Sequence, residues 1–259
     1  MAEATVFTIY AQLVGFETKI WRRFEFNGRR PLTDLIYATM IMFEMQAKEH
    51  FVLTQLNREH LESYMQKQGY AQEMIREYGE KSPQAIDFRY EFEQPPVGIA
   101  SPNLSPGADT ILKDPTQTTL LQTLTWGVQG QRFLLEYGDK WKVNLVIEEI
   151  AHADLPQSKL PRVVGGHGYG IVEGLDGPAG LQRLARVLRV GRGLEYQRMM
   201  RWLDSDNFSL SNFSVRDVNY RLKKLHFAYV KIYELGEPLT QRFEDLMLRD
   251  YLGKGYRGY

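Results

Sequence analysis

The sequence predicts an α+β fold: an antiparallel or mixed β-sheet packed with helices, followed by a helical C-terminal extension. Three observations carry the prediction. Residues 5–14 alternate, with Phe7, Ile9, Ala11 and Leu13 on one face and Thr8, Tyr10 and Gln12 on the other, the period of a half-buried strand. RFLLEY (132–137) and WKVNLVIEEI (141–150) alternate in the same way, with only Gly138, Asp139 and Lys140 between them. They read as a tight antiparallel hairpin that buries Phe133, Leu135, Val143 and Leu145. Beyond a glycine-rich stretch the pattern becomes helical over 178–190, 193–204, 214–235 and 237–252.

The remaining elements follow in chain order. KIWRRFEF (19–26) is a second strand, with Ile20, Arg22, Phe24 and Phe26 on one face and Trp21, Arg23 and Glu25 on the other. The turn NGRRP ends it, and Pro31 stands just ahead of a helix that starts near Thr33. That helix, TDLIYATMIMFEMQAKE, is apolar on nearly every side, so it packs on the sheet and beneath another layer. Residues 50–53 read as a short strand and 57–78 as a polar helix that can break at Gly69, with Gly79 in a left-handed terminal position. AIDFRYEFE (85–93) alternates as a strand, and the Pro-, Ser-, Asp- and Gly-rich residues 94–116 read as a long loop. Residues 1–180 thus form a sheet-rich body with a helical insertion at 57–79, and residues 181–259 a basic helical part continuous with it.

Composition narrows the class. A chain of 259 residues can bury a sizeable core, and its 25% charged residues are ordinary for a globular protein. Without cysteine there can be no disulfide and no thiolate metal site, so a reducing cytoplasm is the expected compartment. No apolar run approaches a membrane span. The net charge of zero conceals a split. Residues 181–259 hold fifteen Lys and Arg against nine Asp and Glu, and residues 1–180 hold seventeen against twenty-three. A basic C-terminal surface facing an anionic partner explains the split, and so does attraction between the two parts.

Several segments in order resemble one family: IWRRF (20–24), PLTDL (31–35), FLLEYGDKW (133–141), LPRVVGGHGYGIVEGLDGPAGL (160–181) and RWLDSDNFSLSNFSVRDVNYRL (201–222). Together they make the chain similar, over residues 4–55 and 85–222, to the plasmid pRiA ORF-three-like family, often labelled transposon-passenger TnpR. The resemblance implies an α+β fold around an antiparallel sheet, and genes carried by plasmids, phages and insertion elements. It supplies no reaction and no catalytic residues, and no serine-recombinase pattern is present. Many relatives place cysteines in the glycine-rich segment. This chain has none, and its acids there are Glu173 and Asp176. Residues 57–79 and those after Leu222 read as additions to the family pattern.

The glycine-rich segment lacks the Lys-Ser or Lys-Thr pair of a Walker phosphate loop, and GHGYG (166–170) does not open directly into a helix as a dinucleotide fingerprint does. It reads as an irregular connection, with Asp176 or Gly177 capping the next helix and Pro178 in its first turn. His167, Glu173 and Asp176 form a candidate pocket, to which Trp21 and Arg23 on the second strand add a group that could stack on a base or peptide. None of these stands at metal-ligand spacing, and no metal or cofactor is expected. Arg22 shares an apolar strand face and needs a buried partner, for which Glu136 and Asp139 are the candidates.

The strongest lead is basic. Arg183, Arg186 and Arg189 recur every three residues, off the apolar stripe of Leu181, Leu184, Ala185 and Leu188, and Arg192, Arg198 and Arg201 follow. Lys223 and Lys224 lie near Tyr220, His226 and Tyr229. Such residues suit phosphate and base contacts. Three functional readings result. The first is a non-enzymatic protein of a mobile element that contacts nucleic acid or a nucleic-acid-bound protein. The second is a phage or plasmid inhibitor of a host defence system, of the anti-CRISPR type, that binds a protein. The third is an enzyme using the pocket around His167.

Overall fold

The structure, a computed structural model, describes residues 4–93, 99, 110–125, 129–153, 156, 159–205, 208–238 and 240–247. Its strands are β1 (Ala4–Leu13), β2 (Trp21–Asn27), β3 (Phe51–Gln55), β4 (Asp87–Tyr90), β5 (Thr110–Lys113), β6 (Arg132–Tyr137), β7 (Trp141–Ala153) and β8 (Arg162–His167). They form one mixed sheet in the order β5-β4-β3-β6-β7-β1-β2-β8, antiparallel except for the parallel pair β4 and β5. The helices are α1 (Leu32–Met42), α2 (Asn57–Lys67), α3 (Gln72–Lys81), α4 (Gly177–Val190), α5 (Leu194–Trp202), α6 (Val215–Tyr233) and α7 (Gln241–Met247). The fold is α+β, with a helical C-terminal region. No described helix is long and apolar enough to cross a membrane.

Register places the alternating side chains as the sequence requires. Phe7 lies opposite Phe26, Ile9 opposite Phe24, and in the β6–β7 hairpin Phe133 opposite Leu145 and Leu135 opposite Val143. All of these are buried, and they share one core with α1 and α6. Every residue of α1 is buried, because the helix packs among the sheet's apolar side chains and under α6. Leu181 and Leu184 of α4 and Val218, Leu222 and Leu225 of α6 join the same core, so the helical C-terminal residues and the sheet are packed together.

Five expectations are corrected. The polar helix breaks at Gly69 into α2 and α3, but Gly79 does not end it. It is buried within α3, where a Cβ would stand 2.6 Å from Glu62 Oε1, and it serves the close approach of the two helices. The expected loop 94–116 contains β5, while residues 94–98 and 100–109 lie outside the described residues. The first part of the glycine-rich segment is a strand, β8, pairing with β2 at the sheet edge. In the last predicted helix α7 is shorter at its start, and residues 248–252 lie outside the described residues.

The fifth correction concerns Arg22, which is fully buried opposite Ala11. Its guanidinium donates to main-chain carbonyls rather than to Glu136 or Asp139: Nε to Met42 O at 2.9 Å, Nη1 to Trp21 O and His167 O at 2.8 Å each, and Nη2 to Tyr169 O at 2.7 Å. Glu136 pairs instead with Lys142. Phe213 and Phe43 close over the guanidinium at 4.4 and 5.1 Å from their ring centres. Glycine makes this wrapping possible. A Cβ on Gly166 would lie 2.5 Å from Phe213 Cζ, and one on Gly170, whose φ is 141°, would lie 2.6 Å from Phe43 O.

The same region pins the α1–β3 connection. Gln46 N–H donates to Glu173 Oε1 (2.9 Å), Lys48 N–H to the Tyr137 hydroxyl (3.0 Å), and the Tyr233 hydroxyl to Glu49 O (2.6 Å), while the Tyr229 hydroxyl donates to Met45 O. A buried connection must satisfy its main-chain groups within the protein. Here side chains from β6, α6 and the glycine-rich segment do so.

Candidate nucleic-acid interface

α4 begins at Gly177 with Pro178 in its first turn, and it ends where Gly191 (φ 64°) takes the left-handed position and donates to Val187 O. Leu181, Leu184 and Val187 face the core, so the three-residue offset turns Arg183, Arg186 and Arg189 to solvent. Gly193, also at positive φ, starts α5 directly, and the Gly191–Gly193 corner presents Arg192. α5 packs back on α4. The resulting groove of about 370 Å³ is lined by Arg183, Arg186, Arg192, Val187, Val190, Glu195 and Tyr196. Three of the predicted arginines are therefore brought together.

On the other flank of α4, a second groove of about 360 Å³ is lined by Phe16, Thr18, Ala185, Leu188, Arg189, Tyr196, Phe208 and residues 209–211. Tyr196 borders both grooves. Sequence reading missed Tyr196 and Phe208, because nothing in the local pattern shows that residues 208–211 return to this flank. Tyr169 N–H, donating to Leu210 O at 2.8 Å, holds them there. Arg198 and Arg201 are exposed on α5, and Lys223 and Lys224 are exposed on α6, where Lys224 lies over the Tyr220 ring at 5.9 Å. The latter helix packs on α1 and β8, so the two lysines belong to a different element from the arginine groove.

Among the described residues, no ion pair involves Arg183, Arg186, Arg189, Arg192, Arg198 or Arg201. Several basic residues of the sheet and its turns are paired: Arg23 with Glu148 (2.6 Å), Arg162 with Glu25 (2.6 Å), Lys142 with Glu136 (2.7 Å), Lys140 with Asp176 (2.8 Å) and Arg132 with Glu59 (3.4 Å). Arg183 acts on Asp176 through space and helps Lys140, the principal cause, to lower that carboxyl's pKa.

The other candidate residues are dispersed. His167 is exposed on β8 opposite Trp21, and its carbonyl accepts from Arg22. Glu173 is largely buried and accepts from the Tyr137 hydroxyl (2.8 Å) and Gln46 N–H. Burial raises its pKa against those hydrogen bonds. Asp176 precedes α4 without capping it, because its side chain is on Lys140. No group of three or more metal-ligating residues forms among the described residues. Trp21 stacks on Tyr10 at 5.7 Å and lies across Gly165, while Arg23 covers both rings and holds Glu148 with two hydrogen bonds. That group already has internal partners for its ring and its charge.

Comparison with known proteins places the chain. The family model described as plasmid pRiA4b ORF-3-like protein matches residues 5–217. No curated protein matches. The fold is similar to the crystal structure of a protein of unknown function, MM3350, from Methanosarcina mazei Go1, with a TM-score of 0.58 and 16% identity over 83% of this chain and 97% of that one. At that identity the likeness concerns the fold alone.

Proposed function

This chain belongs to the plasmid pRiA4b ORF-3-like family, and from its arginine groove we propose that it is a nucleic-acid-binding protein. The observation that carries the reading is the contrast in pairing. Arg23, Lys142 and Arg162 of the sheet are matched by local carboxylates, whereas the arginines of α4 and α5 face solvent without an ion pair among the described residues. Had the charge split served only to join the two parts of the chain, these arginines would be paired with acids of residues 1–180. A guanidinium fork suits phosphate oxygens, and several on one groove follow a backbone without reading sequence.

The test is a salt titration of labelled oligonucleotides. Four phosphate contacts, from Arg183, Arg186, Arg189 and Arg192, give a log–log slope of about −3.6 on duplex DNA and about −2.8 on a single strand. Affinity for duplex then falls roughly a hundredfold between about 50 and 200 mM salt. Replacing Arg186 and Arg189 by Gln flattens the duplex slope by about 2 and weakens binding to all sequences alike. Absence of binding even at the lowest salt overturns the reading and leaves a protein as the partner of this groove.

A further inference from the structure

We propose that the second groove of α4 receives an unstacked base, so that the nucleic acid this protein binds is single-stranded. The inference rests on the nucleic-acid reading above and names its substrate class. Tyr196 carries the argument because it borders both grooves, one holding Arg183, Arg186 and Arg192 and the other Arg189 with the apolar surfaces of Leu188, Phe16 and Phe208. A strand whose phosphates follow the arginines therefore meets an aromatic ring and an apolar recess on the opposite flank of the same helix.

The recess suits a base for three reasons. Its volume of about 360 Å³ falls in the range of small-ligand sites, roughly 300–1,000 Å³. It is preformed: Tyr169 N–H fixes Leu210 O at 2.8 Å, and the Phe208 ring meets the Tyr169 ring edge-on at 4.9 Å. It also has polar edges for a heterocycle in the hydroxyls of Ser209 and Ser211, 2.8 Å apart. A base in a duplex is stacked and paired, and extracting it costs a few kcal/mol, whereas a single strand offers its bases freely. Stacking on an aromatic side chain tolerates any sequence, in keeping with backbone contacts made by arginine.

The experiment compares three labelled ligands of one length by fluorescence anisotropy at fixed salt: a single strand, its duplex, and a single strand whose nucleotides are abasic. The wild type should prefer the single strand to both others. Tyr196→Ala should weaken the single strand by about 5- to 150-fold, the cost of one lost base stack, and weaken the abasic strand and the duplex by much less. Tyr196→Phe should restore the single-strand affinity. The abasic arm needs no variant, so the proposal remains testable if Tyr196→Ala folds poorly. Equal affinity of the wild type for the abasic and normal strands, or a preference for duplex, overturns the base-pocket inference while nucleic-acid binding stands. Binding to none of the three overturns both.

Discussion

Arg221 of α6 donates to Glu44 at 2.5 Å across 177 residues of sequence, and both side chains are buried. Glu44 itself sits at φ 64°, in the left-handed region that residues with a Cβ rarely adopt. The ion pair therefore holds a strained turn in place just after α1. Arg221→Met takes the Arg221 guanidinium away from a buried carboxylate and should cost about 3–5 kcal/mol. Adding Glu44→Gln should recover part of that loss, because the buried negative charge is gone. Urea denaturation of the two variants and the wild type measures both effects, and a loss below about 0.5 kcal/mol for Arg221→Met would show that the pair is not sustaining the turn.

Arg22 supports the other side of the same turn through main-chain carbonyls. Arg22→Met removes the donor to the buried Met42 oxygen and to the part-buried oxygens of His167 and Tyr169, each lost bond to a buried acceptor costing about 1–3 kcal/mol. A total destabilisation of at least about 3 kcal/mol is expected. Arg22→Lys should rescue little, since a compact ammonium cannot spread donors in a plane toward β2, α1 and the glycine-rich segment together. Full rescue by Lys in a denaturant melt would mean that charge, and not the fork, is what the site requires.

Glu173 gives the protein a pH dependence of defined sign. Burial raises its pKa in the folded state above the ordinary 4.5, so the folded chain holds this proton more tightly than the unfolded one. By linkage, the contribution is fully present below the unfolded value and is lost as pH rises through the folded value. Glu173→Gln removes the titration and keeps an acceptor for Gln46 N–H and the Tyr137 hydroxyl. The variant should be more stable than the wild type at neutral pH, and the advantage should shrink as pH falls toward about 4.5. Thermal melts across that range check the sign, and an advantage that grows on acidification would refute it.

Much of this architecture is legible in the sequence, and the failures have physical causes. Period-two alternation marks β1, β2, β6 and β7 because each buries one face only. The strand β8 carries no such signal. Gly165 and Gly166 have no side chains to alternate, and it is pairing with β2 and the approach of Phe213 that make the segment a strand. β5 escaped notice as four residues of low burial contrast in a polar run. The partner of Arg22 was sought among acids because a sequence displays side chains, whereas its hydrogen bonds go to carbonyls that every residue possesses. For the candidate interface, the three-residue spacing of Arg183, Arg186 and Arg189 is visible in one dimension. The groove that adds Phe208 depends on a distant segment, 208–211, and is not.

Leu61, Met65, Ile75 and Ala85 form an apolar cluster of their own, apart from the main core. Its anchorage is polar: Gln55 Nε2 donates to Asn57 Oδ1 and Thr123 O at 2.7 Å, and Asn57 Nδ2 donates to Ile86 O at 2.8 Å. A small core fastened at its base can open as a cooperative unit without global unfolding. Native-state hydrogen exchange should therefore resolve two populations of amides. Those of α2 and α3 should exchange through a sub-global opening of low free energy, and those of β1, β7 and α1 only through global unfolding. Ile75→Ala would speed exchange in the first population and leave β1 and β7 at the wild-type rate.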